Sequence, residues 1–183
     1  MHGKFLEWNE QGDLISKFEM NNGTGRRQVY HNSGRLILDE PLVKNFPHGV
    51  CMEVSPTSEM ITIINRNNGK VIGRAFDFYP TYSIRAIVCY SESGRLHGPC
   101  VHFSNSGDVS RSKWYIADQE VTKSAYATAA SLDQTLVPYS ENAQNYRDLI
   151  DDKVKALLNY YRGLPLVKIP LEFDQTGNPI IKN

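Results

Sequence analysis

Apolar residues recur along this chain to a fixed beat set by glycine. Five residues after a starting glycine stands an aromatic or aliphatic side chain, and eleven after it an aliphatic one. The sets are Gly3-Trp8-Leu14, Gly25-Tyr30-Leu36, Gly49-Val54-Met60, Gly73-Phe78-Ile84 and Gly98-Phe103-Val109. Their glycines lie 22, 24, 24 and 25 residues apart, a period that marks a repeat architecture. In three sets a second glycine follows a polar pair, at Gly12, Gly34 and Gly107. Polar-polar-Gly suits a hairpin loop with a left-handed last residue. Each repeat is then one β-hairpin, with Trp8 opposite Leu14, Tyr30 opposite Leu36 and Phe103 opposite Val109.

The third and fourth repeats carry Ser58 and Tyr82 where that glycine would stand, each after Pro-Thr. Proline sets φ and cannot donate to a ladder, so both central hairpins are expected to use a different loop. On the other face the inferred register pairs Asp77 with Arg85 and Arg27 with Asp39, ordinary cross-strand charge pairs. A pair of this kind contributes roughly 0.2–1 kcal/mol, so stacking of repeats must hold the fold.

Links between hairpins read Asn68-Gly69-Lys70-Val71-Ile72-Gly73 and Ser93-Gly94-Arg95-Leu96-His97-Gly98. With the glycine-aromatic beat, they resemble the MORN repeat in the variant form of bacterial antitoxin-like proteins, over residues 3 to about 126. The resemblance implies a mainly β fold, a single-layer antiparallel β-meander of about five hairpin repeats, to which the helical periodicity downstream adds a C-terminal α-helical cap. It also implies a binding or scaffolding role over an enzymatic one, since relatives include antitoxins and immunity proteins as well as proteins that attach to membranes or organise assemblies, with antitoxin or immunity function the leading specific reading.

The expected organisation is repeats over 1-118, a helical cap over 119-163 and a strand or tail over 164-183. Thr122 is placed to cap a short helix through about Leu132. Residues 139-162 read as the longest helix, capped by Ser140 and stopped by Gly163. Its stripe is Tyr146, Leu149, Ile150, Lys153, Val154, Leu157, Leu158 and Tyr161, apolar except for Lys153. That stripe either covers the sheet or binds a partner. Met60–Ile64 and Ile84–Tyr90 are apolar on both faces, as strands with cover on both sides would be. The tail alternates through Leu166–Ile169 and reaches a turn at Gln175–Asn178.

Charged residues make up 22% of the chain with a formal net charge of zero. This balance argues against a nucleic-acid binder or a polybasic membrane surface. No apolar run approaches a membrane span, and Met1-His2-Gly3-Lys4 is no secretory signal, so a cytoplasmic protein is expected. Cys51, Cys89 and Cys100 form no even disulfide framework. Cys51 and Cys100 share a register two repeats apart, roughly 19 Å at about 4.8 Å per strand, too far to bond.

His97, Cys100 and His102 are the best cluster for metal or thiol chemistry, yet no third ligand is fixed and no carboxylate pair or phosphate loop accompanies them. No enzyme, cofactor or metal is expected. Arg26, Arg27, Phe46 and Arg74 are candidate protein-partner contacts, as Arg or aromatic anchors on strands and on the Pro41–His48 link. The first hairpin leaves an outer edge that invites self-association. Two other readings remain: a structural or membrane-associated scaffold, and a Cys/His-dependent hydrolase.

Overall fold

In the computed structural model, residues 1–55, 57–164, 172–173 and 179–180 are described. One antiparallel sheet dominates, its strands following chain order. They are β1 (Gly3–Trp8), β2 (Leu14–Asn21), β3 (Thr24–Tyr30), β4 (Leu36–Val43), β5 (Phe46–Pro47) and β6 (Gly49–Val54). There follow β7 (Ile61–Asn67), β8 (Lys70–Phe78), β9 (Ile84–Tyr90), β10 (Leu96–Phe103), β11 (Val109–Ile116) and β12 (Gln119–Val121). β5 is a spur on β4, and β1 and β12 are the outer strands. Among the described residues three helices follow: α1 (Lys123–Leu132), α2 (Ala143–Arg147) and α3 (Asp152–Arg162). β13 (Glu172–Phe173) and β14 (Pro179–Ile180) pair with each other. The sequence readings of Leu166–Ile169 and Gln175–Asn178 lie outside the described residues.

The hairpin pairs form as the beat requires. Trp8 faces Leu14, Tyr30 faces Leu36, Phe78 faces Ile84 and Phe103 faces Val109. Repeat three differs: Val54 pairs with Ile61, not Met60. Its loop closes from Ser55 to Met60, one residue longer than the others, with Glu59 left-handed at φ 53°. Repeat four keeps the ordinary loop, contrary to expectation. Tyr79 and Ser83 close it as Asn9 and Asp13 close the first, and Tyr82 takes the glycine's left-handed place at φ 65°.

Each regular hairpin carries a bulge beside its aromatic residue, which moves the register by one. Arg27 therefore pairs with Glu40, not Asp39, and their side chains meet at 2.6 Å. Arg26 reaches Asp39 on the opposite face. Asp77 pairs with Ala86 along the backbone, yet its carboxylate still contacts Arg85 at 3.3 Å.

At the other strand ends the links bond to one another. Gly23 N–H donates to Met1 O, Asn45 N–H to Gly23 O, Gly69 N–H to Pro47 O and Asp118 N–H to Leu96 O, at 2.7–2.8 Å. These bonds tie the links after repeats one, two, three and five to the chain at the start of the same repeat and give the period a mechanical reason. Gly98 shows why a starting glycine is needed: its φ is +132°, and a Cβ there would lie 2.5 Å from Cys89 Cβ.

The helical cap lies on one face of the sheet. Its core joins Met52, Ile63, Phe76, Phe78, Ile87, Val101 and Phe103 to Tyr146, Val154, Leu158 and Tyr161. Thr122 caps α1, accepting from Ala125 N–H at 3.3 Å. The expected long helix is broken in two, and Ser140 caps neither part. Asn142 caps α2, and Asp151 caps α3 by accepting from Val154 N–H at 2.9 Å. A carboxylate that bonds a backbone N–H three residues on starts a helix rather than continuing one. Gly163 ends α3 in a right-handed conformation. Among the described residues the opposite face has a small apolar cluster, Cys51, Ile64 and Ala75 with Val71, Val88 and Tyr90 around it. Around this cluster lie the pairs Arg27–Glu40 and Arg66–Glu53.

Candidate functional site

Between the capped face of the sheet and α3 opens a cleft of about 900 Å³. β7, β8 and β9 contribute Ile63, Ile64, Phe76 and Cys89, α3 contributes Val154 and Leu157, and Val50 and Val137 add to the apolar lining. The Ser91–Ser93 link forms part of its mouth, together with Arg74, Glu92, His97, Thr135, Asp151 and Lys153. An apolar concavity with a few polar groups at its rim is the usual form of a binding site.

The sequence explains how the cleft comes to exist. The break between α2 and α3 turns the chain just above β8, and Arg74 Nη1 donates to Leu149 O at 3.3 Å across that turn. The segment between α1 and α2 is held by Tyr126, a fully buried ring whose hydroxyl donates to Val137 O at 2.6 Å. Trp114 packs on Tyr139 with centroids 5.9 Å apart. Helices and loop are thus anchored on either side while the space between remains open.

The electrostatics of the rim are uneven. Among the described residues, Arg74 and Lys153 form no ion pair. Asp151 is already committed to the α3 cap, and Glu92 is exposed. Cys89 in the floor is only 4% exposed, and burial pushes its thiol up to about 12 despite the nearby Arg74 charge. Burial thus keeps it protonated at neutral pH, as part of the apolar floor.

The four candidate partner contacts do not converge. Arg74 stands at the cleft. Arg26 is tied into the core edge, its Nε 2.5 Å from Asp39 Oδ1 and Nη2 2.9 Å from Oδ2. Arg27 lies on the opposite face against Glu40, and Phe46 is 56% exposed at the tip of the β5 spur. Besides Arg74, two residues singled out in the sequence reach the cleft rim, His97 and Lys153, the sole non-apolar member of the helical stripe.

The cysteine-histidine cluster is divided. Cys100 Sγ lies 3.6 Å from His102 Nε2, but His97 points elsewhere. His97 Nδ1 accepts from Ala117 N–H at 3.3 Å, and its Nε2 lies 3.2 Å from the Thr135 hydroxyl. Thr135 donates onward to Asp133 at 2.6 Å, holding that carboxyl below its usual range. His97 thus fastens the α1–α2 loop to the sheet. Among the described residues no three His, Cys, Asp or Glu side chains are grouped to hold a metal ion. No described helix is long and apolar enough to cross a membrane.

Compared with protein-family models and with curated protein sequences, the chain matches none.

Proposed function

We propose that this chain is a non-enzymatic, MORN-like binding protein that holds a protein partner in the cleft between sheet and cap, acting as an antitoxin or immunity protein. The observation carrying this reading is the pairing of an apolar cleft with two cations, Arg74 and Lys153, that have no ion-pair partner among the described residues. Such a rim favours an occupant with apolar side chains flanked by a carboxylate, since an unpaired Arg beside an apolar floor is a typical anchor position. Affinity per unit area depends on a few such anchors rather than on the whole surface.

The test is capture of the tagged chain from its native lysate, with mass spectrometry after a salt wash. One stoichiometric protein is expected, toxic when produced alone, and its recovery should fall at least tenfold with Arg74→Glu. Retention of the same protein by the Arg74→Glu, Lys153→Glu double variant would remove the cleft from the account. Recovery of lipid or of this chain alone would favour a scaffold instead.

A further inference from the structure

The two outer edges of the sheet are finished in different ways. β12 has three residues and runs through the Thr122 cap directly into α1. A short strand followed by a covering helix is one of the ways proteins blunt an edge. β1 has six residues and no proline, and Phe5, Leu6 and Trp8 on it are half-buried. Among the described residues no strand pairs with its outer side. An apolar edge with free backbone N–H and C=O groups is a template for another strand.

We propose that the strand it receives is β1 of a second copy of this chain, paired antiparallel about a two-fold axis through Phe5. Such an axis stands perpendicular to the sheet and keeps like faces together, so residues pair only with others of the same parity. Centring on Lys4 would set two ammonium groups opposite each other, which is unfavourable. Centring on Leu6 would set each Phe5 against Glu7 of the other copy. Centring on Phe5 sets the two Phe5 rings side by side, Lys4 beside Leu6 and Gly3 beside Glu7, with no like charges opposed. Phe5 already stacks on Phe18 across β1 and β2, centroids 4.6 Å apart and planes 11° from parallel. The Phe5-centred register joins two such stacks into one row of four rings across the junction. It leaves the cleft over β7–β9 free in both copies, so it is independent of the function proposed above.

Two measurements test this. Sedimentation of the full chain over a range of concentrations should show its mass rising twofold from 20.8 kDa. A monomer at every concentration overturns the proposal. Register is read by cross-linking in a Cys100→Ser background, because partners directly opposite in an antiparallel pair have Cα atoms about 4.5–5.5 Å apart, within disulfide reach. Lys4→Cys mixed with Leu6→Cys should give the mixed dimer on mild oxidation, at least tenfold more than Lys4→Cys alone. Lys4 is exposed, so this variant keeps the fold. Equal cross-linking in both samples, or as much from Leu132→Cys on α1 as a control, overturns the register, as does a dimer that no β1 cysteine traps.

Discussion

Tyr161 on α3 donates its hydroxyl to Asp39 Oδ2 on β4 at 2.6 Å, joining residues 122 apart in the sequence. Asp39 is fully buried. Its carboxylate also receives Nε and Nη2 of Arg26, while Gln28 approaches at 3.4 Å. Burial and the adjacent Asp39 carboxylate raise the Tyr161 phenol, so it stays a donor at neutral pH. A buried charge is tolerated only when its lone pairs are satisfied. The last described helix is therefore latched to the fourth strand by a hydrogen bond from Tyr161 onto the Arg26–Asp39 ion pair.

Removing that one donor should cost more than its packing value. Tyr161→Phe keeps the ring and leaves a buried carboxylate oxygen short of a partner, with an expected loss of about 1–3 kcal/mol. Urea unfolding of the variant against the parent measures it. A change below about 0.5 kcal/mol would mean the latch is open in solution.

Tyr82 inverts an ordinary rule. In its left-handed conformation, φ 65°, a side chain other than glycine is strained by about 1–2 kcal/mol. The ring persists because it packs against the core and lies under Arg162, 5.4 Å from the guanidinium to its centroid. Tyr82→Ala loses that packing and keeps the strain, whereas Tyr82→Gly loses both. The glycine variant should therefore be about 1 kcal/mol more stable than the alanine variant, the reverse of the usual order outside turns. Thermal melts of the two variants check this.

Asp151 caps α3 at the break between α2 and α3, beside the cleft. Asp151→Ala should cost about 1 kcal/mol through loss of the cap. If the break depends on that cap, amide exchange at Val154 should rise while exchange in β7–β9 stays unchanged. Unaltered protection at Val154 would assign the break to packing alone.

Alkaline pH should destabilise the fold in a defined window. Burial pushes Cys51 to about 11 and Cys89 to about 12, from an ordinary 9.0. The Tyr126 phenol is raised as well, again by burial. The folded protein thus holds protons that the unfolded chain releases, so stability falls as pH rises through the range from about 9 to 12. Urea midpoints at about pH 8 and about pH 10.5 should differ in that direction. In the native protein near neutral pH, half-buried Cys100 should react with a thiol reagent before Cys51 and Cys89 do.

Much of this architecture is readable one residue at a time, and the misses share a cause. The pair Tyr30–Leu36 follows from local spacing, because a hairpin loop brings its flanking residues together whatever the rest of the chain does. Arg27 and Asp39 are also near in sequence, yet the bulge after Val29 inserts one residue and sends Asp39 to the helical face, where it meets Arg26 and Tyr161. The helical stripe from Tyr146 to Tyr161 was visible, but its interruption was not. Asp151 caps α3 only because the chain bends there to follow the sheet, with Arg74 bonded to Leu149 O at the turn. His97 and Cys100 are three residues apart and serve different surfaces, one fastening a helical loop and the other facing His102.

By itself the sequence determined the repeat period, the hairpins, the aromatic-aliphatic pairs and the presence of an amphipathic cap. These depend on local turn chemistry and on alternation every second residue. Only the tertiary structure decided which face the cap covers, where the helix breaks, which arginines are consumed in ion pairs, and that Arg74 and Lys153 stand together over an apolar cleft. Those outcomes depend on groups far apart in the chain competing for the same buried carboxylates, carbonyls and apolar surface, a competition that spacing along one strand does not record.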